Sequence, residues 1–143
     1  MNVGTILKQK GRSVTTATPA TTLLEIVNKL AAKRIGSIVL IGPNGTLAGI
    51  VSERDVINCL AAHGPDCLKR PVSENMTRDV ITCSEDDTLD ELMAKMTEKR
   101  FRHLPVVTDG ALVGIVSIGD VVKHHIAEVE MEAIAMRDYI THS

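Results

Sequence analysis

The sequence predicts an α/β (α+β) protein: two copies of one β-α-β-β-α unit, followed by a long C-terminal helix. Three observations predict it. The chain matches itself in order at a nearly fixed shift, a Gly-Ile-Val-Ser-x-x-Asp turn occurs twice, and apolar residues switch between helical and strand spacing. A shift of 66 sets Val14-Thr15-Thr16 against Val80-Ile81-Thr82, Thr22-Leu23-Leu24-Glu25 against Thr88-Leu89-Asp90-Glu91, and Lys33-Arg34 against Lys99-Arg100. Beyond the loop at Gly42–Gly45 the shift is 65, setting Gly49-Ile50-Val51-Ser52 against Gly114-Ile115-Val116-Ser117 and Asp55 against Asp120. One gap, placed in a loop, is what a duplicated fold tolerates.

Each copy reads alike. A short β-prone stretch (Val14 to Thr16; Val80 to Thr82) leads to a helix whose start, Thr22 with Glu25 or Thr88 with Glu91, fits a capping box. Leu23, Ile26, Val27 and Leu30, and then Leu89, Leu92, Met93 and Met96, follow at helical spacing. Two apolar runs come next, Ile38 to Ile41 and Leu47 to Val51, split by Gly42-Pro43-Asn44-Gly45; their counterparts, Leu104 to Val107 and Leu112 to Val116, are split by Asp109-Gly110. Such breaks are turn chemistry between antiparallel strands. A second helix starts at Ser52 or Ser117, both favoured N-caps. Val3 to Leu7 and Val72 to Met76 read as small docking helices ahead of each copy.

The expected division is residues 1–64 for the first repeat with its N-terminal docking segment, 65–78 for the linker and short helix, and 79–143 for the second repeat with its extension. The last helix is expected from Ser117 to about Arg137. Its apolar residues continue through Val129, Ile134 and Met136, which suits either a partner helix, a second copy of the chain included, or packing on its own domain.

Composition excludes several classes. The 143 residues are 44% hydrophobic and 24% charged with net charge −2, so the chain can bury a core. That core is aliphatic: Phe101 and Tyr139 are the only aromatics. Without stacking platforms or a basic surface, nucleic acid is not an expected partner. No apolar run approaches membrane-spanning length, and the N-terminus lacks a signal-peptide pattern. Cys59, Cys67 and Cys83, odd in number and without a Cys-x-x-Cys pair, read as free thiols of a cytoplasmic protein.

The duplicated turn carries the functional signal. A strand ends, a serine caps a new helix, and an aspartate follows in the first turn. Unpaired N–H groups at a helix N-terminus suit a phosphate, and a carboxylate beside them can accept from both hydroxyls of a ribose. Ser-x-x-Asp is also a capping-box variant at home on many helices. Its occurrence at matched positions in both copies favours the ligand reading.

Together with Arg102-His103-Leu104-Pro105-Val106-Val107 and Val72-Ser73-Glu74-Asn75-Met76, these turns resemble the cystathionine-β-synthase (CBS) domain family, and the tandem resembles a CBS pair, or Bateman module, over about residues 3–126. The resemblance implies two copies packed about a pseudo-two-fold axis, with clefts that take AMP, ADP or ATP. It implies Asp55 and Asp120 on the ribose, Ser52 and Ser117 near the phosphate, Gly36-Ser37-Ile38 and Arg102-His103-Leu104-Pro105 as base and phosphate walls, and backbone contacts to adenine from Thr15-Thr16 and Ile81-Thr82. Positive charge comes from Arg54 in the first copy, where the second has Gly119, and from Arg102 and His103 in the second. The second copy fits the family pattern better; Arg54 serves its own half or reaches across the axis. NAD(H) or S-adenosylmethionine stand as alternative ligands, without a Gly-x-Gly-x-x-Gly fingerprint for a Rossmann-type mode.

Other candidates weigh less. His124 and Glu128 share a helix face at i,i+4 spacing with His125 adjoining, but no further metal ligand stands at the right place, and they read as polar residues of a helix surface. Lys8, Lys10 and Arg12 read as a solvated basic end, and Lys33-Arg34 and Lys99-Arg100 as favourable charge at helix C-termini. No nucleophile–base set or P-loop is present, so an enzyme is not expected. The expectation is a non-catalytic regulatory adenine-nucleotide module, a homodimer signalling through an effector protein; the alternative is a ligand-independent interaction protein.

Overall fold

The computed structural model of the chain describes residues Met1–His142 and divides into two compact units. One is Ser13–Ile81; the other combines Met1–Arg12 with the chain from Thr82 onward. The elements are α1 (Val3–Lys10), β1 (Thr16–Ala17), α2 (Leu23–Lys33), β2 (Ser37–Ile41), β3 (Leu47–Ser52), α3 (Glu53–His63), two 3₁₀ turns (Pro65–Lys69 and Val72–Glu74), α4 (Leu89–Lys99), β4 (His103–Thr108), β5 (Ala111–Ser117) and α5 (Ile118–His142).

In the Ser13–Ile81 unit, β1 pairs parallel with β2 and β2 antiparallel with β3. Leu23, Ile26 and Leu30 of α2 lie one turn apart, so one face of the helix meets Ile38, Leu40 and Val51 of the sheet in the core. Thr22 caps α2 by accepting from Glu25 N at 3.3 Å, and Arg34 ends it in the left-handed conformation at φ 53°. The segment expected as a linker is part of this unit. Val72 N donates to Thr21 O at 2.7 Å, Leu23 N to Arg70 O at 3.0 Å, and Val72 itself is fully buried. Thr77 exchanges both backbone bonds with Ile50, at 2.8 and 3.0 Å. That close approach requires Gly49, since a Cβ there would stand 2.7 Å from Thr77 O and 2.8 Å from Met76 Sδ.

The other unit repeats this arrangement with two differences, a two-stranded sheet and a docking segment drawn from α1. β4 and β5 pair antiparallel through the Asp109-Gly110 turn, whose φ values of 51° and 79° match a two-residue hairpin with both central residues left-handed. The place that Met76 takes against Gly49 is taken against Gly114 by Leu7 of α1, whose methyls would lie 2.7 and 2.9 Å from a Cβ. Val3 and Leu7 therefore correspond to Val72 and Met76, and each docking segment packs with the copy it does not precede in sequence. The compact units therefore group these two segments differently from the expected bounds at residues 64 and 78. The bonds Val3 N to Asp87 O and Gly4 N to Glu85 O, both 2.9 Å, hold α1 to the 82–142 segment.

The first strand of the second copy is also corrected. Val80 to Thr82 is not a strand; only Cys83 bridges Val106. The chain reaches register at Cys83, with Cys83 N to Pro105 O at 3.0 Å. It then turns away, because Ser84 N is captured by Asp87 Oδ2 at 2.9 Å and Asp86 N by Ser84 Oγ at 3.2 Å. α5 packs on α4 and β5 through buried Val121 and His124, so the surface reading of His124 does not hold. The helix runs five residues past Arg137, to His142.

Candidate functional site

Both duplicated turns fold into closed capping boxes. Ser52 N and Ser52 Oγ donate to Asp55 Oδ2 at 2.8 and 3.1 Å, and Asp55 N donates to Ser52 Oγ at 3.3 Å. In the second copy the distances are 2.8, 3.0 and 3.2 Å for Ser117 and Asp120. The reason is local. A residue at N-cap and one at N3 lie one turn apart, so a hydroxyl and a carboxylate there each satisfy an orphan N–H of the other. Oδ2 is committed in each aspartate, while Oδ1 stays outside these bonds.

The strand register brings the expected wall residues beside the turn. Ser37 faces Ser52 across β2–β3, and His103 faces Ser117 across β4–β5. Gly36 O accepts from Glu53 N at 3.0 Å and Arg102 O from Ile118 N at 2.8 Å, tying the first amide of each helix to the strand entrance. With the third amide held by serine, the second, Arg54 N or Gly119 N, remains for an anion. The Arg54 and Arg102 side chains are exposed, and among the described residues no acidic group pairs with either. Gly119 is exposed, and a Cβ there meets only Ser117 Oγ, at 3.6 Å.

Other expected residues sit differently. Ile38 and Leu104 are fully buried and Pro105 is buried, so these side chains brace the strands from within and form no open wall. Thr15 O accepts from Val39 N at 3.3 Å. Thr16 O and Thr82 O are met by Lys29 Nζ at 3.5 Å and Lys95 Nζ at 3.3 Å, and Ile81 is half-buried. Lys29 and Lys95 are matched across the repeat, at the same shift of 66 as the first helices.

The residue that sequence reasoning missed is Lys10. Its ammonium lies 2.5 Å from Asp120 Oδ2 and 2.8 Å from Ile115 O. Burial pushes the Asp120 carboxyl up, but the bonds from Lys10 and Ser117 outweigh it and hold the group below its ordinary value. In the Val3/Val72 register the position matching Lys10 holds Asp79, so the first copy has no such cation. Arg12 pairs with Glu85. The basic end is therefore not simply solvated.

A separate cavity of about 620 Å³ is lined by Cys59, His63, Asp66, Cys67, Lys69, Arg70, Glu74 and Asn75. It includes none of the duplicated turn residues, and the bidentate Arg70–Glu74 pair, at 2.6 and 2.8 Å, lies on its wall. Volume alone does not make it the site, because the repeated chemistry lies elsewhere. Among the described residues no group of three or more His, Cys, Asp or Glu side chains could hold a metal ion, and no helix is long and apolar enough to cross a membrane.

The CBS domain family model matches residues 9–62 and again 71–126. The chain belongs to the CBS domain family. Among curated relatives, the mitochondrial CBS domain-containing protein CBSX3 of Arabidopsis thaliana is 30% identical over 146 residues, covering 96% of this chain and 71% of the relative. Two longer Arabidopsis thaliana CBS proteins are 32% identical over 115 residues, and the chain spans 21% of their length. Among solved structures, a CBS-domain containing protein from Agrobacterium tumefaciens is 43% identical with TM-score 0.83, covering 85% of this chain and 91% of that one. The CBS domain pair of protein MJ0100, in complex with 5′-methylthioadenosine and S-adenosyl-L-methionine, is 28% identical with TM-score 0.80 over 90% and 98% of the two chains. A CBS domain protein from Pyrobaculum aerophilum, complexed with AMP, is 28% identical with TM-score 0.75 over 84% and 89%. The tandem repeat and the mixed α/β fold with its long C-terminal helix thus match CBS-pair proteins.

Proposed function

We propose that this CBS pair is a regulatory module without chemistry of its own, binding an adenine nucleotide, AMP foremost, at its Ser52–Asp55 and Ser117–Asp120 turns. The observation that carries the reading is the doubled turn. Each copy fixes an aspartate by a capping box, leaves its Oδ1 for ribose hydroxyls, and leaves the second helix amide for a phosphate. The ligands of the structural relatives, AMP, 5′-methylthioadenosine and S-adenosyl-L-methionine, share adenosine and not phosphate. That supports the ribose aspartate as the common anchor and leaves the phosphate or sulfonium side to set preference. ADP, ATP, NAD(H) and S-adenosylmethionine are the competing ligands on the same anchor.

The two sites are unequal in this reading. Arg54 supplies the first with an exposed guanidinium, whereas Lys10 already neutralises Asp120 in the second. Three free thiols suit a reducing compartment such as the cytoplasm, and the output passes to an effector protein. Calorimetric titration with AMP, ADP, ATP, NAD(H), S-adenosylmethionine and 5′-methylthioadenosine, paired with thermal melts, tests the proposal. Saturating ligand at about a hundred times its Kd adds about 2.7 kcal/mol. Asp55→Ala and Asp120→Ala should each remove one site's heat. A melt unmoved by every ligand at millimolar concentration defeats the reading.

A further inference from the structure

We propose that Lys10 sets the ligand preference of the second site, selecting adenosine with an anionic 5′ phosphate over adenosine with a neutral or cationic 5′ group. The inference rests on the adenine reading of the Ser117–Asp120 turn and deepens it. The ammonium has two anchors, Asp120 Oδ2 at 2.5 Å and the backbone carbonyl of Ile115 at 2.8 Å. The repeat explains the second anchor. Ile50, the counterpart of Ile115, exchanges both backbone bonds with Thr77, and its carbonyl accepts from Thr77 N at 2.8 Å. In the register that matches Val3 with Val72, Thr77 corresponds to Lys8, which lies inside α1 and not in an extended bridge. Lys10 Nζ therefore takes the place of that amide, at the same distance. Because Ile115 O holds the ammonium independently of the carboxylate, it stays beside the turn when a ribose engages Asp120 through Oδ1.

A charge in that place reaches the ligand. Adenosine held by its ribose on Asp120 keeps its 5′ substituent within a Debye length, about 10 Å, of Lys10, and a side chain 31% exposed is only partly screened. The phosphate of AMP carries a charge of about −1.5 to −2 at neutral pH. The thioether of 5′-methylthioadenosine is neutral, and the sulfonium of S-adenosylmethionine is positive. Lys10 ranks the three in that order, and the exposed Arg102 guanidinium adds charge of the same sign. The first copy differs in sign, since the position in register with Lys10 holds Asp79, an exposed acid. The charge filter thus belongs to the second site.

Calorimetric titration of the full chain carrying Asp55→Ala reads the second site by itself. AMP should bind there more tightly than 5′-methylthioadenosine, and S-adenosylmethionine more weakly. Adding Lys10→Met should shrink the ratio of AMP affinity to 5′-methylthioadenosine affinity roughly ten-fold and raise S-adenosylmethionine against the same reference. Lys10→Arg, which keeps the charge, should hold the ratio within about three-fold. With lysine retained, raising sodium chloride from about 0.05 to about 0.5 M should also shrink the ratio, a readout that needs no substitution at position 10. A ratio unmoved by Lys10→Met or by salt, or one lost equally with Lys10→Arg, overturns the proposal. So does an Asp55→Ala chain that binds none of the three ligands while the wild type binds one. A wild type that binds no adenosine ligand is a separate outcome, which sinks the adenine reading and the charge filter with it.

Discussion

Substituting Gly114 by alanine tests how α1 is held against β5. The new Cβ would stand 2.7 and 2.9 Å from the methyls of Leu7, a side chain with no exposed surface, so neither can move without disturbing its neighbours. Overpacking of this kind costs about 1–3 kcal/mol. Against it stands the burial of Val3, Ile6 and Leu7, at most about 1.5–3 kcal/mol each. Burial wins, so α1 should stay docked and the strain should appear as lost stability, a fall in Tm of roughly 3–10 °C for a chain of this size. Leu7→Ala alone should cost about 2–5 kcal/mol by opening a cavity. In that background the extra methyl of Gly114→Ala enters vacated space, and its cost should drop to near zero. Urea unfolding of the four proteins gives the coupling, expected to exceed about 1 kcal/mol. If Gly114→Ala costs the same with leucine or alanine at position 7, the packing of α1 on β5 is wrong.

Two further outcomes follow from the charges and thiols. Because Asp120 sits below its ordinary value in the fold, the Lys10–Asp120 pair stabilises above the unfolded carboxyl pKa of about 3.9 and is lost as pH falls through the folded value. Lys10→Met should therefore cost about 0.5 kcal/mol at pH 5–8, for a pair this exposed, and progressively less below about pH 4; a cost that grows on acidification contradicts the pairing. The Cys59 thiol is pushed up to about 11 by its hydrogen bond with Cys67 and by burial, and Cys83 to about 12 by burial. A disulfide reagent at pH 8 should label the native protein slowly and all three thiols at once in denaturant; rapid native labelling of Cys83 would show that β4 does not cover it.

The features legible in the sequence are those whose partners lie within one turn or one hairpin. Ser52 with Asp55, Ser117 with Asp120 and Thr88 with Glu91 close because i and i+3 are adjacent in any helix start, whatever surrounds them. The Asp109-Gly110 turn and the antiparallel pairing of β2 with β3 and of β4 with β5 follow from equally short-range rules, while the register shifts at Leu40/Ile41 and Val106/Val107 do not.

What only the tertiary structure decided involves residues far apart in the chain. Nothing near Lys10 indicates Asp120, 110 residues on, and nothing near Leu7 indicates Gly114. The path of the chain between them fixes those contacts, and it delivers each docking segment to the copy it does not precede. Val80–Thr82 looked like a strand by composition, yet the chain comes into register with its neighbour only at Cys83, in a single bridge to Val106. Sequence alone determined that this protein is a doubled CBS unit with a serine and an aspartate at each turn. Only the fold decided that one aspartate meets a lysine and the other does not, because electrostatic partners are set by distance in space, not by spacing along the chain.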